Sequence, residues 1–184
     1  MEKNDRKVTI ATHLVGDYNA DNVMAALAIA DFFEVPFNKS VAAIEAYTPS
    51  NSRSQLVKTR ENTLIIDAYN ANPSSMRASL DNFASTDFPN KVLMLGDMLE
   101  LGQESSEEHR SALRRAMEVA PRIFVVGEDF SRASRTLHAD PKQVKAFPDI
   151  NELKAFVQEN PLKESTILIK GSNGNHMQKV VEAL

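Results

Sequence analysis

Five short apolar runs, at residues 63–67, 91–95, 123–126, 144–147 and 166–169, constrain this chain more than anything else in it, because a helix-length stretch follows each one (74–84, 105–119, 129–138, 149–159 and 175–183). Four or five residues rich in Val, Ile, Leu and Phe are strand-length. Strands joined by helices of this size specify a parallel, doubly wound α/β sheet with apolar residues on both faces. Residues 55–58 form a sixth strand, separated from residue 63 only by a turn at Glu61 and Asn62. Parallel neighbours cannot be joined so tightly, so 55–58 is expected as an antiparallel edge. Upstream the texture differs. A helix is expected from Asn19 or Ala20 to Phe33, with Val23, Leu27 and Ala30 at helical spacing, ended by Pro36 and followed by a short helix over 40–47. The Pro-Ser-Asn-Ser run at 49–52 reads as a linker between this helical piece, 1–48, and the sheet, 49–184.

Composition excludes some chemistry. The chain has no Cys, which removes disulfides, thiolate nucleophiles and Cys-ligated zinc. Its net charge of -4, with both signs interspersed, leaves no basic footprint for nucleic acid. No apolar run is long enough to span a membrane, and the charged first seven residues lead into no secretory core, so the cytoplasm is the expected location. His13, His109, His138 and His176 have no metal-ligand spacing, and His109 is expected on a helix surface.

The polar residues that matter follow the strands. After 63–67 comes Asp-Ala-Tyr-Asn-Ala-Asn-Pro-Ser-Ser at 67–75, an acid and two asparagines entering a helix. An acid at a strand's carboxyl end can hold a ribose hydroxyl, and a helix N-terminus favours anions. The alternative is a junction where the asparagines only cap and turn the backbone. Gly-Asp-Met-Leu-Glu-Leu-Gly at 96–102 follows the next strand, and Ser105 to Glu108 fits a capping box. Lys-Gly-Ser-Asn-Gly at 170–174 puts a cation before a flexible loop, suited to a carboxylate or phosphate or merely a solvated Lys. No G-x-x-x-x-G-K-[ST] phosphate loop and no G-x-G-x-x-G fingerprint occurs.

Five segments in order, Gly-Asp-Tyr-Asn-Ala-Asp-Asn at 16–22, Pro-Ser-Asn-Ser-Arg-Ser at 49–54, and those at 67–75, 96–102 and 170–172, resemble the Mur ligases of peptidoglycan synthesis. The resemblance implies a Rossmann-like C-terminal domain preceded by the last helices of a central ATPase domain, whose phosphate loop would lie outside these residues. It implies ATP-dependent addition of D-alanyl-D-alanine to UDP-N-acetylmuramoyl-tripeptide, with ATP and Mg2+ required. By it, Asn19 and Asn22 would face the adenine nucleotide, although Tyr18 replaces the family's His. Arg53 would be the catalytic arginine on the ATP phosphates, where a planar guanidinium can bond two oxygens at once. Asp67 would bind the ribose, and Asn70 and Asn72 would line the meeting place of nucleotide and dipeptide. Lys170 and Ser172 would hold the dipeptide carboxylate, although Asn173 stands where many relatives have Arg. Asp97 and Glu100 are expected at the cleft beside them. Two other classes remain open: a non-catalytic nucleotide- or peptide-binding module, and a receiver-like phosphoacceptor domain. The second fits less well, because its acids would be paired on the first strand.

Overall fold

The computed structural model describes residues 2–3, 6–17, 19–49 and 52–184. After a two-residue antiparallel ladder of β1 (Glu2–Lys3) with β2 (Arg6–Lys7), the chain forms α1 (Asn19–Phe32) and α2 (Phe37–Ala46). The second helix starts three residues earlier than the sequence spacing suggests. Pro36 stops α1 but also begins α2, its carbonyl accepting the Lys39 and Ser40 amides. Of the linker, Ser50 and Asn51 lie outside the described residues, as does Tyr18.

The sheet then forms from β3 (Gln55–Lys58), β4 (Thr63–Asp67), β5 (Lys91–Gly96), β6 (Arg122–Val126), β7 (Val144–Phe147) and β8 (Thr166–Lys170), in the spatial order β3-β4-β8-β5-β6-β7. Within this sheet, among the described residues, only the β3–β4 pair is antiparallel. Successive side chains go to opposite faces. Ile65, Leu93, Leu95, Ile123, Val125 and Leu168 meet α3 (Pro73–Ser85), α4 (Ser105–Val119) and α5 (Glu128–Thr136). Leu64, Ile66, Val92, Met94, Ile167 and Ile169 meet α6 (Ile150–Glu159) and a closing 3-10 segment, Met177–Ala183. The sequence spacing suggests an ordinary helix there. Met177 and Val180 are both fully buried, and a three-residue repeat stacks positions i and i+3 on one line as a 3.6-residue repeat does not.

Strand order matters most for function. Helices α3, α4 and α5 carry the chain one way along one face from β4 to β7, and α6 returns it along the other face to β8, which inserts between β4 and β5. The strands bearing Asp67 and preceding Asp97 are therefore not neighbours. From the adjacent, parallel β4 and β8 the chain departs to opposite faces, and their carboxyl ends form the sheet's switch point, where open α/β sheets leave a crevice. Among the described residues, no helix is long and apolar enough to cross a membrane.

A candidate functional site at the switch point

The register of β4 with β8 sets Asp67 directly opposite Lys170. Lys170 Nζ donates to Asp67 Oδ2 at 2.6 Å, and the Ser79 hydroxyl donates to the same oxygen at 2.9 Å. Lys170 is only 1% exposed while the Asp67 side chain keeps 16%, so the cation is sealed and the acid faces outward. Both bonds fall on Oδ2. Among the described residues no donor reaches Oδ1, which leaves its lone pairs for a ligand.

The crevice above this pair has a volume of about 560 Å³, within the range of small-molecule sites. Its far wall comes from the N-terminal piece, with Asn19 and Asn22, and from the loop of Arg53 and Ser54. The Asn19 side chain donates to the Val15 carbonyl at 2.8 Å and to Ser54 Oγ at 3.3 Å, and its own oxygen accepts from Asn22 Nδ2 at 3.1 Å. Ser52 and Ser54 hold left-handed backbone, φ 57° and 48°. Serine adopts that region at a cost, so the loop is held by its surroundings, including the Ala68 amide on the Ser52 carbonyl at 2.8 Å. The Arg53 guanidinium lies 3.9 Å from the centre of the Tyr69 ring. Among the described residues Arg53 meets no carboxylate, whereas Asp67 and Lys170 neutralise each other, so the crevice carries one uncompensated positive charge.

Asn70 and Asn72 line the same crevice and also cap. Asn70 Oδ1 accepts the Ala71 amide at 2.9 Å, and Asn72 Oδ1 accepts the Ser75 amide at 2.8 Å while Ser75 Oγ accepts the Asn72 amide at 3.1 Å. That reciprocal pair is the capping box of α3. The one suggested by Ser105 to Glu108 does not form, because a 3-10 turn, Gly102–Glu104, leads straight into α4 and the Ser105 hydroxyl donates instead to Asp129 at 2.8 Å. Asn72→Ala should lower stability by about 1 kcal/mol, the worth of an N-cap, measured by urea titration. An unchanged midpoint would show that the cap is idle.

The structure thus brings together Asn19, Asn22, Arg53, Asp67, Asn70, Asn72 and Lys170, and does not bring Asp97, Glu100 or Ser172 into that wall. Asp97 faces away and caps α5, its carboxylate accepting the Asp129 and Phe130 amides at 3.0 and 2.9 Å. Burial pushes its carboxyl above the ordinary range, against the pull of those two amides. Ser172 is 2% exposed, its hydroxyl held between the Leu99 amide and the Ala71 carbonyl. Glu100 is exposed on a left-handed turn, φ 66°. His109 is not on the surface. It is fully buried beneath the 97–102 loop, four residues before the core residue Leu113. Sequence reasoning also missed Ser79, whose signal is a hydroxyl on the inward stripe of Met76, Leu80 and Phe83, and Tyr69, which stacks on Arg53.

Among the described residues, the site is a Rossmann-like sheet with an acid–lysine pair at its switch point and an arginine without a carboxylate partner across the crevice. The family described as Mur ligase, glutamate ligase domain, matches residues 52–173, and the chain belongs to the Mur ligase family. It is 32% identical over 174 residues to the UDP-N-acetylmuramoyl-tripeptide–D-alanyl-D-alanine ligase of Treponema pallidum, covering 93% of this chain and 38% of that protein. To the ligase of the same name from Bacillus subtilis it is 30% identical over 179 residues, again 93% and 38% of the two chains. Among solved structures, MurF from Acinetobacter baumannii superimposes with a TM-score of 0.79 at 30% identity over 91% of this chain and 37% of that one. The chain therefore spans less than two fifths of the length of these relatives.

Proposed function

We propose that this chain is the C-terminal part of an ATP-dependent ligase that joins D-alanyl-D-alanine to UDP-N-acetylmuramoyl-tripeptide. Residues 49–184 would be its dipeptide-side domain and residues 1–48 the end of its central ATPase domain, working in the cytoplasm. The observation that carries the reading is the Asp67–Lys170 pair at the switch point with Arg53 across the crevice. The names of the relatives supply the substrates. The helical piece supports the division: Met24, Ile29, Phe32 and Phe33 of α1 and its end are 47%, 60%, 80% and 70% exposed, an apolar surface that suits burial against more protein.

In this reading ATP, when bound, supplies the phosphoryl group that activates the tripeptide carboxylate for attack by the dipeptide amine. This chain's residues position the reactants. Arg53, stacked on Tyr69, presents its fork to phosphate oxygens. Asp67 Oδ1 accepts a ribose hydroxyl, and Asn19 and Asn22 face the nucleotide from the opposite wall. Asn70 and Asn72 orient the dipeptide. Lys170 is engaged by Asp67, so its part is to hold that carboxylate in place, and the dipeptide carboxylate falls to the side-chain amide groups of Asn70 and Asn72, because the Ala71 and Asn72 backbone amides are already bonded. Among the described residues no three His, Asp or Glu side chains gather to hold a metal, and in this reading the Mg2+ that accompanies ATP would be held mostly by the central ATPase domain. Closing a second domain over the crevice would exclude water from the activated intermediate.

The test is an amide NMR titration of the chain with ADP and with D-alanyl-D-alanine. Shifts should cluster at residues 53 and 67–72, and Arg53→Ala should weaken ADP binding by roughly tenfold or more, the scale of a charge-assisted hydrogen bond. With no phosphate loop in its sequence, the chain alone should neither hydrolyse ATP nor form the amide bond. Turnover that survives repurification, or shifts that avoid the crevice, would overturn the assignment.

A further inference from the structure

Ser172 touches no open space, yet it binds three segments together. Its backbone N–H donates to the Asp97 carbonyl at 3.3 Å, its hydroxyl oxygen accepts the Leu99 amide at 3.0 Å, and its hydroxyl proton is donated to the Ala71 carbonyl at 3.3 Å. A hydroxyl is the smallest side-chain group that can accept and donate at once. Its reach depends on close backbone approach: a Cβ on the preceding Gly171 would lie 3.0 Å from the Gly96 Cα, so the ends of β8 and β5 touch.

The loop on the far side of Ser172 is itself anchored. Met98 N–H donates to His109 Nε2 at 3.0 Å, and His109 Nδ1 lies 2.7 Å from the Ser105 carbonyl. A carbonyl only accepts and an amide only donates, so these partners assign the proton to Nδ1 and the lone pair to Nε2. The ring is fully buried, edge-on to Phe130 with centroids 4.7 Å apart, and the Asp97 carboxylate holds the start of α5. Helices α4 and α5 therefore hold residues 97–99, residues 97–99 hold Ser172, and Ser172 holds the carbonyl of Ala71, which stands between the two crevice asparagines.

We infer that Ser172 is a positioning residue: it sets the orientation of the 70–72 loop, with His109 as its anchor, and does not contact ligand. The Ala71 carbonyl belongs to the same peptide unit as the Asn72 amide, so fixing one fixes the other, and with it the Asn72–Ser75 cap that faces the crevice. The inference rests on the proposed ligase reading only where the dipeptide is used as a probe.

Amide hydrogen exchange on the full chain tests it. In Ser172→Ala, protection of the Leu99 amide should fall roughly three- to tenfold, the loss of one hydrogen bond, and the signals of Asn70 and Asn72 should shift. Amides of β5 and β6 should keep their protection, and Ser172→Thr, which retains the hydroxyl, should restore both signatures. Affinity for D-alanyl-D-alanine should fall in Ser172→Ala and recover in Ser172→Thr. Unchanged Leu99 exchange in a folded Ser172→Ala, or a threonine that restores nothing, would overturn the inference. If Ser172→Ala does not fold, the native protein decides: a slowly exchanging Ser172 hydroxyl proton close to Ala71 is expected, and its absence is the contrary result. A native chain that ignores the dipeptide while the exchange pattern holds would count against the ligase reading alone.

Discussion

Replacing Asp67 by alanine is expected to destabilise the chain by about 3 kcal/mol, because it strands a buried cation. The Lys170 side chain is 1% exposed and Asp67 is its only acceptor among the described residues. The value sits at the lower end for broken buried pairs because the acid keeps a wet edge, through which water can enter to the orphaned ammonium. The reverse change, Lys170→Met, should cost less, since the Asp67 carboxylate then retains the Ser79 hydroxyl and its exposed side. The double variant Asp67→Ala with Lys170→Met should be more stable than Asp67→Ala alone, because no charge is left unmatched. Urea midpoints of the four proteins measure this directly. A cost below about 1 kcal/mol for Asp67→Ala, or strict additivity in the double variant, would show that Lys170 does not depend on the acid.

A comparable loss is expected at Gly127, where no ligand is involved. Gly127 has φ 113°, a backbone region closed to other residues, and a Cβ there would sit 2.2 Å from Asp97 Oδ2 and 2.4 Å from its Cγ. A longer acid could swing aside, but the Asp97 oxygens are tied to the first amides of α5. Gly127→Ala should therefore cost about 3–5 kcal/mol, combining backbone strain, overlap and a weakened cap. Gly102 supplies the control. Its φ of 55° is also left-handed, but nothing lies within 4 Å of its would-be Cβ, so Gly102→Ala should cost only about 1 kcal/mol. Equal losses at the two sites would mean that the Asp97 contact contributes nothing.

The central strands could be read from sequence because β4, β5, β6 and β8 are dense apolar runs that stop at a polar residue or Gly, such as Asp67, Gly96 or Lys170, and because helices of sufficient length intervene. The antiparallel edge followed from the short connection between Lys58 and Thr63. The insertion of β8 between β4 and β5 could not be read, since chain order says nothing of which way a crossover turns. Local pattern misled at His109, whose Ser-Ser-Glu-Glu neighbours look solvated; its spacing from Leu113 and Ala116 is the better guide. Of the crevice residues, those on the β4 loop were legible because an acid and amides follow a strand directly. Ser79 was not, because its importance depends on where α3 crosses the sheet. Asp97 and Ser172 have the chemistry of ligand contacts, but three-dimensional pairing turns both inward.

The position of β8 also governs how the chain can be made. Its partners β4 and β5 lie on either side of it, and the Asp67–Lys170 contact joins residues 103 apart. Among the described strands of this sheet β8 is last in chain order, so β3–β4 and β5–β6–β7 share no backbone pairing until residues 166–170 have been made. Unpaired strand edges invite pairing with other nascent chains. Premature termination anywhere before β8 therefore leaves a product with no continuous sheet to fall back on, and a cell making this protein has reason to keep those unfinished edges shielded until the final strand arrives.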